Sequence, residues 1–340
     1  MTKVVSHEDL KELVVKKLCE ESVRQEEAEI VADVLIHANL RGVDSHGVMK
    51  TEHYVKRIQG GGLNIDSNPQ IEKSSDTTAV YNGDNGFGHV IAKHSMDLAI
   101  QMAKDHGIGV VGVKRSSHCG ALSYFVKQAL DEKLIGVAMT HTETAVIPFG
   151  AAEPYFGTNP IAFGFPTNNE EPIIFDFATS KVAFGKVLNA IDHGQQIPAD
   201  WGVDEEGNQT TDPSKVSYLH PFGEAKGYGL GFIVEIFAGL LTGSAFGPHI
   251  TKMYVDYSKA LDIGHFFMVL DPAKFIAAED FLNNLDCMIR EIHSLKPSKG
   301  FTKVLVPGEP EVIQEKIRRV DGIPLPESVF RYLNQSVKLS

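Results

Sequence analysis

The chain has 340 residues, 43% of them hydrophobic and 22% charged, enough for two domains or one large one around a well-buried core. Its formal charge of -12, with no cluster of Lys and Arg, argues against nucleic acid as a partner. Three scattered cysteines, Cys19, Cys119 and Cys287, are too few for a disulfide framework or a thiolate metal site and point to a reducing, cytoplasmic location.

Ser6-His-Glu-Asp9 reads as a helix cap, and Leu10, Leu13, Val14 and Leu18 follow on one helical face, without the apolar core of a signal peptide. A second helix is predicted from Glu26 to Asn39, delivering the chain to Arg41-Gly-Val-Asp-Ser-His-Gly47. If the chain is helical from Gly47 onward, His46, Lys50 and Tyr54 share a face that suits a small polar anion, with Ser45 beside it; the same spacing fits an ordinary solvated helix surface. Gly60 to Asp76 reads as a loop or domain crossing. A strand from Thr77 to Tyr81, a glycine-rich turn and a long helix from His89 to Asp105 come next, closed by Gly107.

A short apolar strand, Gly107 to Val113, leads to Arg115-Ser-Ser-His118-Cys-Gly-Ala-Leu-Ser-Tyr-Phe125, and helical spacing resumes from Ala121 to Leu130. His118 is therefore expected at a helix start, where the dipole disfavours the imidazolium and suits a neutral base; a capping or buried structural histidine is the competing reading. Another strand, Ile135 to Thr140, follows. Beyond Pro148, the stretches Gly157 to Pro160, Ile173 to Ala178 and Trp201 to Asn208 suggest strands and turns rather than regular alternation with helices.

The apolar run Gly227 to Gly247 carries Glu235 at its middle and is expected to be a buried helix of a soluble fold, not a membrane span, with the carboxylate paired structurally. A strand from His265 to Leu270 and a helix from Ala277 to Leu295 precede two short helices, from about Glu309 and about Pro326. Asp176 in an apolar strand, Lys226 before the glycine-rich helix and Gly308-Glu309 after an expected strand are further candidates. No glycine cluster has the Gly-x-Gly-x-x-Gly spacing at a first strand-to-helix turn, which disfavours a Rossmann domain, and the common hydrolase and kinase motifs are missing.

Seven ordered blocks change the weight of these residues: Asp44 to Gly47, Ser117 to Gly120, Gly157 to Ala162, Asp176 to Ser180, Gly185 to Val187, Lys226 to Leu230 and Val306 to Glu309. Together they resemble the malate/L-lactate dehydrogenase family that lacks a Rossmann domain. The resemblance implies an α+β (mixed α/β) non-Rossmann nicotinamide-binding fold with a largely antiparallel sheet. It also implies a helical domain of residues 1–72 with 310–340, completing the substrate site, and a cofactor-binding and catalytic region of residues 73–309. The expected partners are NAD, with NADP not excluded, a small hydroxy or oxo acid and a second copy in a homodimer; no metal is required.

By the same resemblance His118 is the proton acceptor, and Ser45, His46, Lys50 and Tyr54 surround the substrate. Thr142, Asp176, Phe177, Ala178, Lys226, Gly227, Gly308 and Glu309 fall where the family holds its cofactor. A carboxylate at Glu309 would favour NAD by accepting bonds from a ribose and repelling a 2′-phosphate. Within the family, Ala121 to Gln128, Val146 to Gly150 with Tyr155, and Ile197 to Pro213 resemble the branch that oxidises ureidoglycolate. That branch carries arginine at the position of Lys50, and a guanidinium fork is not equivalent to a single ammonium.

Overall fold

The structure is a computed structural model describing residues 2–335, so Met1 and residues 336–340 of the expected helical domain lie outside the described residues. The first strand, β1 (Thr2–Val5), precedes α1 (His7–Cys19), whose cap is the Ser6 hydroxyl accepting the Asp9 N–H at 3.1 Å. Next come α2 (Gln25–Leu40), two single 3-10 turns at Asp44–His46 and Val48–Lys50, and α3 (Thr51–Gly60). Leu10, Val14 and Leu18 of α1 pack with Ala28, Val31 and Leu35 of α2 in one apolar cluster, as their spacing predicts. Ile323 and Leu325 join that cluster from β11 (Ile323–Pro326), which pairs antiparallel with β1 and is followed by α10 (Glu327–Asn334).

The centre of the molecule is a seven-stranded sheet, ordered β2 (Gln70–Ser74), β3 (Thr78–Asn82), β4 (Ile108–Ser116), β10 (Ile263–Leu270), β5 (Ile135–Thr140), β6 (Ile161–Phe165) and β7 (Ile173–Phe177). Every pair is antiparallel except β3–β4, which α4 (Gly88–His106) joins as a crossover. Among the described residues there is no doubly wound parallel sheet, so the missing glycine fingerprint has a structural reason. Alternation along β10 sorts its side chains: Phe267 and Val269 enter the core under α4 and α5 (Ser123–Asp131). Phe266 instead packs against Val234 and Ala238 on the opposite face.

Several sequence expectations change. The segment from Gly60 to Asp76 is not all loop, since Gln70–Ser74 forms an edge strand. The second half contains a helix, α6 (Phe184–Asp192), beside the two-stranded β8 (Gly202–Val203) and β9 (Tyr218–Leu219). Residues 303–306 carry no strand, so α9 (Glu309–Asp321) follows an irregular segment. The apolar run starts as α7 (Ala225–Glu235) and continues as one π-helical turn, Ile236–Leu240, while α8 (Ala278–Ser294) matches its expected helix. As expected, Glu235 is buried and paired: Asn159 Nδ2 and the Gly247 N–H donate to its two oxygens at 2.7 and 2.6 Å. No helix among the described residues is long and apolar enough to cross a membrane.

Candidate active site

His118 does not sit at a helix start. It lies in an irregular turn after β4, and α5 begins only at Ser123, so the dipole of that helix is not what keeps the ring neutral. Burial is the main cause, reinforced by His46 and Lys50, and it holds the imidazole well below its ordinary pKa. The Tyr54 hydroxyl meets His118 Nδ1 at 2.8 Å, which leaves Nε2 as the ring nitrogen available to a substrate. Tyr54 itself is 2% exposed, so it stands behind the histidine rather than on an open face.

His46 stacks over His118 with ring centroids 5.7 Å apart, and its Nδ1 lies 3.0 Å from the Ser45 hydroxyl. Burial, with Lys50 second, lowers the pKa of His46 to about 4, so both rings are neutral at physiological pH. The expected continuous helix from Gly47 is absent: Gly47 is extended between the two 3-10 turns, and α3 starts at Thr51. Ser45, His46, Lys50, Tyr54 and His118 nevertheless converge, because the turns and α3 fold around the His118 loop. Gly185, at the start of α6, closes on Ser45; a Cβ built there would lie 3.2 Å from the Ser45 Cβ.

The loop carrying Ser45 and His46 is fixed from two sides that motif reading did not find. Arg318 of α9 reaches both Asp44 oxygens, at 2.6 and 3.0 Å, and Asn39 Nδ2 donates to the same carboxylate at 2.6 Å. Asn39 Oδ1 accepts the Val48 N–H at 2.8 Å across Gly47, where a Cβ would come within 2.2 Å of that oxygen. These partners lie hundreds of residues apart or on ordinary helix faces, and no local spacing announces them.

Lys50 donates to the Tyr254 hydroxyl. Tyr254 belongs to the segment 251–259, which Arg57 holds through the carbonyls of Met253, Asp256 and Lys259. Glu143 accepts the Met253 N–H of the same segment. Burial pushes the Glu143 carboxyl up to about 7, against the smaller opposing pull of Lys252, Arg57 and Lys50.

A carboxyl raised from 4.5 to about 7 in the folded state makes stability fall as pH rises between those values, because the unfolded chain releases that proton first. Glu143→Gln keeps an oxygen for the Met253 N–H and removes the charge. Its melting temperature should therefore exceed that of the parent by more at about pH 8 than at about pH 5. Equal differences at the two pH values would contradict the buried-carboxyl assignment.

The residues expected around a cofactor line the edge strand β7 and its two ends. The Asp176 carboxylate accepts the Ser123 N–H at 2.8 Å, and the Phe177 ring stacks on Phe175 at 4.3 Å. Just past Ala178, Thr179 accepts Phe222 N–H through its carbonyl, and Phe222 in turn accepts the Gly227 N–H at 2.9 Å. The Thr142 hydroxyl accepts the Thr158 N–H at 3.1 Å in the same neighbourhood, where the Thr158 carbonyl takes the Thr179 N–H. Gly308, with φ +93, packs at the other end; a Cβ there would lie 2.5 Å from the Ile174 carbonyl oxygen. Lys226 is exposed and has no ion-pair partner among the described residues. Glu309 is already engaged: its carboxylate accepts the Val306 N–H at 2.7 Å and lies 3.0 Å from His293 Nε2.

A family model described as malate/L-lactate dehydrogenase matches residues 5–334. The chain is 39% identical to the ureidoglycolate dehydrogenase (NAD(+)) of Escherichia coli O157:H7, over 97% of this chain and 94% of that protein. It is 38% identical to the malate/(S)-sulfolactate dehydrogenase of Methanothermus fervidus, over 98% and 96% of the two chains. The solved structure of sulfolactate dehydrogenase from Methanocaldococcus jannaschii aligns with a TM-score of 0.91 at 34% identity, covering 97% of this chain and 95% of that one.

Proposed function

The chain belongs to the malate/L-lactate dehydrogenase family and is a 2-hydroxy acid dehydrogenase, and from that premise we propose that it transfers a hydride from (S)-ureidoglycolate to NAD, giving oxalurate in allantoin catabolism. The observation that carries the reaction class is the half-buried imidazole of His118, held in its neutral form, with Nδ1 taken by Tyr54 and the Lys50 cation close by. The likeness to the E. coli ureidoglycolate dehydrogenase supports the substrate.

His118 Nε2 accepts the proton of the substrate hydroxyl; the O–H electron pair then forms the carbonyl as the carbinol hydrogen leaves with its two electrons. Tyr54 holds the ring and its tautomer through Nδ1. Lys50, with His46 and Ser45 beside it, grips the carboxylate and keeps the carbinol carbon in place, the part of the rate that positioning supplies.

The residues along β7 fit a dinucleotide. Gly227 and Gly308 stand where a Cβ would strike backbone, Lys226 offers an unpaired ammonium at the start of α7, and helix N-termini favour phosphate charge. Thr142, Asp176, Phe177 and Ala178 would hold the cofactor with them, and Glu309 would act through the loop it caps. When bound, NAD supplies the carbon that accepts the hydride.

The reading includes a cytoplasmic location and a homodimer, the dimer being supported by the exposed Phe232, Ile233, Ile236, Leu240 and Leu241 on α7 and the turn after it. It also includes the division into a helical unit of residues 1–72 with 310–340 and a catalytic unit of residues 73–309, supported by two apolar clusters that follow this division except at Val34, Phe87 and Val90.

The test is NADH formation from (S)-ureidoglycolate, with NADP, L-malate and L-lactate in parallel. Robust NAD-linked turnover on ureidoglycolate alone is expected. Turnover only on malate or another hydroxy acid would keep the chemistry and discard the allantoin role, a reading that the 38% identical malate/(S)-sulfolactate dehydrogenase keeps in play.

A further inference from the structure

We propose that Tyr254 is a substrate-binding residue and that its phenol and the Lys50 ammonium act together as one two-point clamp on the substrate carboxylate. The proposal rests on the 2-hydroxy acid reading of the site. Lys50 is a compact point charge, and an ammonium alone fixes neither the rotation nor the plane of a carboxylate. In this structure the ammonium donates to the Tyr254 oxygen, and its nitrogen lies 5.0 Å from the centre of that ring. A phenol that accepts from an ammonium still has its own proton to donate. One carboxylate oxygen can then take an N–H from Lys50 and the other the O–H from Tyr254, which reproduces the spread of a guanidinium fork from two side chains.

The surroundings hold Tyr254 in place for this role. Its segment, 251–259, is anchored through Met253, which packs with Ile250, Leu261 and Ile263, while Tyr254 is 51% exposed and Val255 is 75% exposed. Polar bonds from the substrate side fix it further. Arg57, 1% exposed, donates to the carbonyls of Met253, Asp256 and Lys259, and Glu143 accepts the N–H of Met253, the residue just before Tyr254. His53, one residue before Tyr54, packs at a tilt against both tyrosines of the segment, with ring centroids 4.8 Å from Tyr254 and 5.5 Å from Tyr257. The phenol is thus tied through α3 to the same helix that presents Tyr54 to His118.

The experiment uses the full-length enzyme with whichever 2-hydroxy acid of the panel it turns over. Tyr254→Phe should raise KM for the acid about tenfold while kcat and the affinity for NAD stay within about twofold, since the lost bond is made equally in ground and transition states. Adding Lys50→Arg to that variant supplies both donors from one side chain and should bring KM back to within about threefold of the parent. A KM that is unchanged or lower in Tyr254→Phe would overturn the proposal. So would a raised KM that Lys50→Arg fails to rescue, because the tyrosine would then serve only the packing of its segment. Absence of turnover on every hydroxy acid would instead strike the function reading, which keeps the two failures distinct.

Discussion

His118→Ala lowers turnover by roughly two to four decades, the range a positioned general base supplies, and leaves nicotinamide-cofactor affinity nearly intact. The split follows from geometry. His118 meets Tyr54 through Nδ1 and stacks on His46, whereas the residues proposed for the cofactor lie along β7 and its ends. Alanine at this position removes the proton acceptor without adding bulk. Single-turnover rates and cofactor titration by fluorescence check the two halves separately, and unchanged turnover would sink the assignment of His118 as base. In the parent enzyme the acid limb of kcat/KM that belongs to this ring falls below pH 6.5, since burial favours the neutral form.

The second large effect is expected at a residue with no side chain, packed against the backbone of the His118 loop. Gly88 opens α4, and a Cβ built on it would lie 2.1 Å from the Ser117 carbonyl oxygen and 2.6 Å from that of His118. Both neighbours are backbone, so the loop carrying the catalytic ring must move. The same contact is locked by hydrogen bonds: the Gly88 N–H donates to the Ser117 hydroxyl at 2.8 Å, and that hydroxyl donates to the Gly86 carbonyl at 2.9 Å. Gly88→Ala should therefore cost about 100-fold in kcat/KM, the penalty for roughly an ångström of misplacement, with the fold retained. Steady-state kinetics beside circular dichroism decides it; parent-like kcat/KM in a folded variant would show that the His118 loop tolerates the displacement.

Pairing of Glu235 was legible because a carboxylate inside an apolar run must find donors whatever the fold, although nothing local named Asn159 and Gly247. The shared face of His46, Lys50 and Tyr54 was legible for an incomplete reason. Helical spacing suggested it, yet Gly47 breaks the helix and the side chains converge through two tight turns. Short edge strands such as β1, β2 and β11 escaped because four or five residues of mixed character show no clear alternation, and their pairing partners are distant or locally concealed. The helical dipole assigned to His118 failed for want of one boundary, the start of α5.

By itself the sequence determined what depends on near neighbours: the amphipathic helices α1, α2, α4 and α8, the strands β3, β4, β5, β7 and β10, the absence of a dinucleotide fingerprint, and the seven blocks that mark the family. Period and composition set these within a window of a few turns. Only the tertiary structure decided that Tyr54 stands behind His118, that Arg318 and Asn39 grip Asp44, and that Tyr254 reaches Lys50. The contacts of Tyr54, Arg318 and Tyr254 join residues far apart along the chain, out of reach of any local pattern, and where burial is deep, as for Tyr54 at 2% exposure, the polar group has no nearby water and must take a distant partner.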